Sequence, residues 1–159
     1  MKTTSTATSF FTTNLSLLSA NIDDTTAEIV SHALSLFLSP TGSALDAWAT
    51  PITMKKSRPA LTVSVLCEPA HSEACLDIFF RELTTLGVRM QTVERASIER
   101  EFVEVETKFG RITVKVGKIG ADVVNIKPEF EVCKRIAIEN NAPLKIVVEE
   151  AKNAYINRR

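Results

Sequence analysis

The sequence has no excess charge of either sign: 19 Lys and Arg balance 19 Asp and Glu across 159 residues. Such a chain sets up no long-range field to draw it onto a nucleic-acid backbone or an anionic membrane, so neither is an expected partner. Long apolar runs are missing as well. Stretches such as Ile78-Phe79-Phe80 fall far short of the roughly 20 residues a spanning helix needs. The Thr- and Ser-rich start lacks a basic-then-apolar signal pattern, and the expected location is the cytoplasm. Cysteine is scarce: Cys67, Cys75 and Cys133 form an odd set without C-x-x-C spacing, which argues against a disulfide framework and a structural zinc site. All three read as small core residues. The two histidines, His32 and His71, stand alone, so triad-type hydrolase chemistry has no support. No P-loop fingerprint is present.

What is present is the material for one well-packed core, since at this length folding removes about two-thirds of the chain's surface from water. Residues 1 to 13, mostly Thr and Ser, are predicted to form a flexible tail, and residues 14 to 159 a single α+β domain. Residues 14 to 22 alternate Leu15 and Leu17 with polar positions and read as a strand. Thr25-Thr26-Ala27-Glu28 is a capping box opening a helix that carries Ile29, Val30, Ala33, Leu34, Phe37 and Leu38 on one face. That helix stops before Pro40-Thr41-Gly42. Two extended segments follow, 46 to 54 and 61 to 67, joined by the basic turn Lys55-Lys56-Ser57-Arg58-Pro59. A second helix is predicted over about 72 to 86 with Gly87 ending it, then a strand from 88 to about 93.

This β-α-β-β-α-β order is the ferredoxin-like plan, two helices over one face of a four-stranded antiparallel sheet, and covers residues 14 to 94. Residues 95 to 159 add a hairpin, with strands 102 to 107 and 111 to 116 and Gly110 at the position needing positive φ. Two closing helices are each expected to begin with proline, Pro128 and Pro143, where a missing N–H costs nothing.

Charged residues gather in four places. Asn21-Ile22-Asp23-Asp24 sits where a strand gives way to a helix; its carboxylates could ligate a hard cation such as Mg2+ or Mn2+, or simply favour the helix dipole. Lys55, Lys56 and Arg58 crowd a turn stiffened by Pro59, a preorganised partner for a polyphosphate or else a solvated hairpin tip. Residues 81 to 89 pack two arginines (Arg81, Arg89), two hydroxyls (Thr84, Thr85) and Glu82 around one helix-to-strand junction, donors that suit phosphate oxygens. Lys127 and Glu129 flank Pro128 at another helix start, where free N–H groups favour anions, or which is simply an ordinary capped helix.

The series NIDDTTAE (21 to 28), ALDAWATPITMKKSRP (44 to 59), FRELTTLGVR (80 to 89) and IKPEFEVCKRIA (126 to 137) resembles the C-terminal domain of the LarC family, over about residues 15 to 155. That resemblance implies a CTP-dependent nickel chelatase, a lyase that inserts Ni2+ into pyridinium-3,5-bisthiocarboxylic acid mononucleotide to make the nickel-pincer nucleotide cofactor. It further implies that CTP with Mn2+ or Mg2+ binds this domain and is cleaved to CMP and pyrophosphate. Carried over by position, Lys55, Lys56, Arg58, Arg81, Thr84, Thr85, Arg89 and Lys127 are assigned to the nucleotide. Asp23, Asp24, Glu82 and Glu129 are assigned to the metal, on the charge complementarity between carboxylates and cations. No catalytic residue is assigned. Three positions depart from the family pattern: Ala27 where Gly is commoner, Phe130 where Tyr is, and Val132 where Asp is. The family's N-terminal half and a homo-oligomer are the expected protein partners. The other reading, from a different class, is a non-catalytic ferredoxin-like module that binds a small anionic ligand.

Overall fold

The computed structural model describes residues 10–158. They divide into two compact units: residues 12–95, and residues 96–158 together with Phe10 and Phe11.

Strand β1 (Phe10–Ile22), which belongs to the first unit from Thr12 onward, starts four residues before the predicted strand. Phe10, Phe11, Thr12 and Thr13 follow the β-propensity of aromatic and β-branched residues, which a reading of the segment as a Thr- and Ser-rich loop underweights. The predicted tail is thus corrected at residues 10 to 13, and its remainder lies outside the described residues. Helix α1 (Ala27–Leu38) is capped by Thr26, whose side chain accepts from the Ile29 N–H at 3.3 Å. The cap therefore falls one residue after the predicted capping-box Thr25. Val30, Ala33 and Phe37, spaced along one stripe of α1, are buried. Strands β2 (Asp46–Met54) and β3 (Arg58–Cys67) form the predicted hairpin, with Met54 opposite Arg58.

Helix α2 (Ser72–Glu82) ends four residues short of the predicted 86. Leu83 turns extended (φ −116°, ψ 160°) while its N–H still bonds Phe79 O at 3.2 Å, and its side chain stays in the core. The β-branched pair Thr84-Thr85 disfavours another turn. Strand β4 (Arg89–Thr107) follows, and the hydrogen-bonded order β2-β3-β1-β4 is the ferredoxin-like one. Between sheet and helices the Phe37 and Phe79 rings meet at 4.8 Å and 49°, against Leu18, Val63 and Val65. Cys67 and Cys75 are buried here. Burial, reinforced by neighbouring Cys67, pushes the Cys75 thiol up to about 12, so it stays protonated and serves as packing.

The second unit joins the remainder of β4 to β5 (Gly110–Ile119) and β6 (Asp122–Pro128), in the order β4-β5-β6. Gly110, at φ 114°, closes the predicted hairpin. Helices α3 (Phe130–Glu139) and α4 (Leu144–Ile156) bury Cys133, Ile136, Val147 and Ala151 against Val105, Ile112, Val114 and Val116 of the sheet. Both proline positions need correction. Pro128 is the last residue of β6, an end where no N–H is needed, and Glu129 takes the cap position of α3. Pro143 sits at the cap of α4, one residue before its first turn. Among the described residues no helix is long and apolar enough to cross a membrane.

Candidate functional site

Antiparallel pairing puts the end of β1, the end of β2 and the starts of β3 and β4 at one end of the first unit's sheet. Asn21 lies opposite Thr62, and Met54 opposite Arg58. Three connections converge there: the segment from β1 to α1, the β2–β3 turn, and the loop from α2 to β4. Each supplies one of the charged clusters.

The clusters touch. Arg58 donates to Asp23 at 3.0 Å, with the arginine about half exposed and the aspartate largely covered. Asp24 accepts from the Thr84 hydroxyl. Arg89 donates through one nitrogen to Asn21 Oδ1 at 2.6 Å and through Nε to Ser19 Oγ at 3.2 Å. Asn21 Oδ1 also accepts from Thr62 Oγ1 at 2.9 Å. Neither aspartate serves as the side-chain cap of α1, since Thr26 does that. A half-exposed pair such as Arg58–Asp23 contributes little to stability, so its effect is to hold a carboxylate and a guanidinium side by side.

The basic turn is strained. Lys56 (φ 63°) and Ser57 (φ 55°) both occupy the left-handed region, where a residue with a Cβ costs roughly 1–2 kcal/mol. Lys55 and Lys56 are exposed and hold no ion pair among the described residues, so their ammonium groups stand ready for an anion. Thr85 folds back on its own loop, donating to Gly87 O at 2.8 Å.

Other candidates turn elsewhere. Arg81 lies along α2 and pairs with Asp77 at 2.7 Å, which raises its already high pKa. Glu82 lies 3.6 Å from His32 on α1. Lys127 and Glu129 belong to the second unit, where Glu129 pairs with Lys115 at 3.5 Å. A shallow cavity of about 540 Å³ in that unit, lined by Ile138 and Pro143 among others, contains none of the assigned residues. Among the described residues no three His, Cys, Asp or Glu side chains come together as a metal cage. The sequence reading gave no role to Asn21, Ser19 or Thr62. Asn21, two residues before the acidic pair at a strand end, was the available signal.

The nickel insertion protein family model matches residues 2–148. This chain belongs to that family. It is 41% identical over 129 residues to the pyridinium-3,5-bisthiocarboxylic acid mononucleotide nickel insertion protein of Thermotoga petrophila, covering 81% of this chain and 32% of the relative. To the Acetivibrio thermocellus protein of the same name it is 39% identical over 140 residues, covering 88% and 34%. The chain thus spans about a third of the length of these curated relatives. Among solved structures it is similar to LarC2, the C-terminal domain of a cyclometallase involved in the synthesis of the NPN cofactor of lactate racemase, in its apo form. The TM-score is 0.84 at 32% identity, over 91% of this chain and 99% of that one. A Methanopyrus kandleri protein shares the fold, with a TM-score of 0.68 at 23% identity over 92% of this chain and 91% of that one. The family resemblance read from the four motifs is borne out.

Proposed function

We propose that this chain is the CTP- and divalent-metal-binding domain of a nickel insertase that makes the nickel-pincer nucleotide cofactor, with CTP cleaved to CMP and pyrophosphate during insertion. The observation that carries the reading is the contact of three loops at one end of the sheet. Two carboxylates, Asp23 and Asp24, stand against a guanidinium and a hydroxyl from separate segments. Mg2+ and ions like it are commonly held by one or two carboxylates, with substrate phosphates and water completing the shell, so a cage of three acidic groups is not required. Lys55, Lys56, Arg58 and Arg89, with the Thr84 and Thr85 hydroxyls, supply the donors a triphosphate needs. Arg81 and Glu82 on α2 are a further cation for the nucleotide and a further carboxylate for the metal, while Lys127 and Glu129 form a separate candidate pair on the second unit. Nickel is cargo in this scheme. Catalysis comes from positioning and charge rather than from a protein nucleophile. The rest of the reaction needs the family's N-terminal half, and the domain works as a homo-oligomer in the cytoplasm.

The test is a calorimetric CTP titration with and without Mn2+, followed by assay for pyrophosphate when Ni2+ and the pyridinium mononucleotide are supplied with a family N-terminal half. Mn2+-dependent binding and pyrophosphate release are expected. Binding without release makes the chain a non-catalytic ligand-binding module, and no binding removes the reading altogether.

The strained turn gives a sharper check. Lys56→Gly relieves a left-handed residue and is expected to raise stability by about 1 kcal/mol. Removing a charge-assisted contact is expected to weaken CTP binding by about 1–3 kcal/mol. Thermal melts and titrations on one preparation read both. A more stable variant with unaltered CTP affinity identifies the turn as a solvated hairpin tip.

A further inference from the structure

On the second unit, helices α3 and α4 cover one face of β4–β6, and the alternate side chains point to the other. Directly paired residues on antiparallel strands share a face. Phe102 pairs with Lys115, and Lys115 with Lys127, so one aromatic ring and two ammonium groups stand in a row across the open face. The ring is 59% exposed. The Lys115 ammonium lies 5.3 Å from its centroid and 3.5 Å from Glu129. Lys127 is exposed and has no ion-pair partner among the described residues.

This arrangement is unfavourable for a bare sheet. Like charges directly opposite one another repel, Glu129 pairs with Lys115 and leaves Lys127 without a carboxylate, and more than half of a large ring faces water. A flat aromatic ligand with acid groups relieves all three. Its ring covers Phe102, and its acid groups satisfy the lysines, whose flexible stems let the ammonium follow an incoming anion. A pyridinium ring gains further, because a cationic ring is attracted to the electron-rich face of phenylalanine.

We infer that the open face of β4–β6 docks the pyridinium mononucleotide, with its ring on Phe102 and its acid groups at Lys115 and Lys127. This rests on the nickel-insertion reading above and assigns Lys127's nucleotide contact to the mononucleotide.

Nicotinic acid mononucleotide, a pyridinium ring with a carboxylate and a phosphate, serves as the probe. It is titrated onto the whole chain while backbone amide NMR shifts are followed, with a parallel titration of CTP and Mn2+. Saturable shifts are expected around residues 102 and 115. Phe102→Leu and Lys115→Gln are each expected to weaken binding about fivefold, Phe102→Tyr to retain it, and Arg111→Gln, on the same face, to leave it unchanged. Absence of saturable binding, or binding indifferent to both Phe102→Leu and Lys115→Gln, overturns the proposal. If CTP with Mn2+ binds normally in that case, only this inference falls. If the mononucleotide binds as expected and CTP does not, the CTP reading falls and the pyridinium site stands.

Discussion

Phe79→Ala is expected to destabilise the first unit by about 3–5 kcal/mol, a large share of the roughly 5–15 kcal/mol that holds a domain folded. Phe79 is fully buried, and its ring is tilted against Phe37 at 4.8 Å, so the substitution removes both the α1–α2 ring contact and the volume that fills the space over Leu18, Val63 and Val65. Strands β1 and β3 are tied by a continuous antiparallel ladder, from Ser16–Cys67 to Ile22–Leu61, and cannot shift to close the gap. The cavity therefore persists, and its cost adds to the lost transfer free energy. Phe80, the next residue, is 50% exposed, and Phe80→Ala is expected to cost under about 1 kcal/mol. Urea unfolding of both variants checks this, read as midpoint shifts at constant slope. Equal losses from the two would mean that the helix does not present Phe79 to the core as described.

The Phe79-Phe80 pair shows how far sequence reaches. Helical spacing over the predicted second helix places Phe79 with Cys75, Ile78, Leu83 and Leu86; the first three are buried and Leu86, beyond the end of α2, is fully exposed, so the core stripe was legible only as far as Leu83. The end of that helix was not, because Leu83 leaves the helical conformation while keeping its side chain in the core, and only the packed structure favours that exchange. The hairpin at Gly110 was legible from a local demand for positive φ. Pro128 misled because its fixed φ suits a strand end as well as a first helical turn. In the candidate site, residue type alone nominated the charged groups. Their pairing was hidden, since Arg58 reaches Asp23 across 35 positions, Thr84 reaches Asp24 across 60 and Arg89 reaches Asn21 across 68. Such contacts follow from strand order, which the β-α-β-β-α-β pattern implied only in outline.

Those long-range contacts set up the test of the acidic pair. Asn at position 23 or 24 keeps a side-chain oxygen, so Asp24→Asn can still accept from Thr84 and Asp23→Asn from Arg58. The cap of α1 is untouched, because Thr26 provides it. Stability is therefore expected to change by no more than about 1 kcal/mol in either variant, the range of a partly exposed ion pair. What each variant loses is the negative charge a hard divalent cation requires. Mn2+-dependent CTP binding is accordingly expected to fall about tenfold or more, equivalent to about 1.4 kcal/mol, while the weaker binding without Mn2+ changes little. The asymmetry matters, since a general loss of fold lowers both affinities and the melting temperature together. Titrations of the parent chain, Asp23→Asn and Asp24→Asn with and without Mn2+, run beside thermal melts, separate these cases. Should both variants keep the full Mn2+ enhancement, the acidic pair only orders the loops through Arg58 and Thr84, and the metal is held at Glu82 or Glu129. Glu129 is then the harder candidate to recruit, because binding a cation there means releasing Lys115. Glu82 needs only to part from His32, a contact of 3.6 Å that counts as an ion pair when the imidazole is protonated.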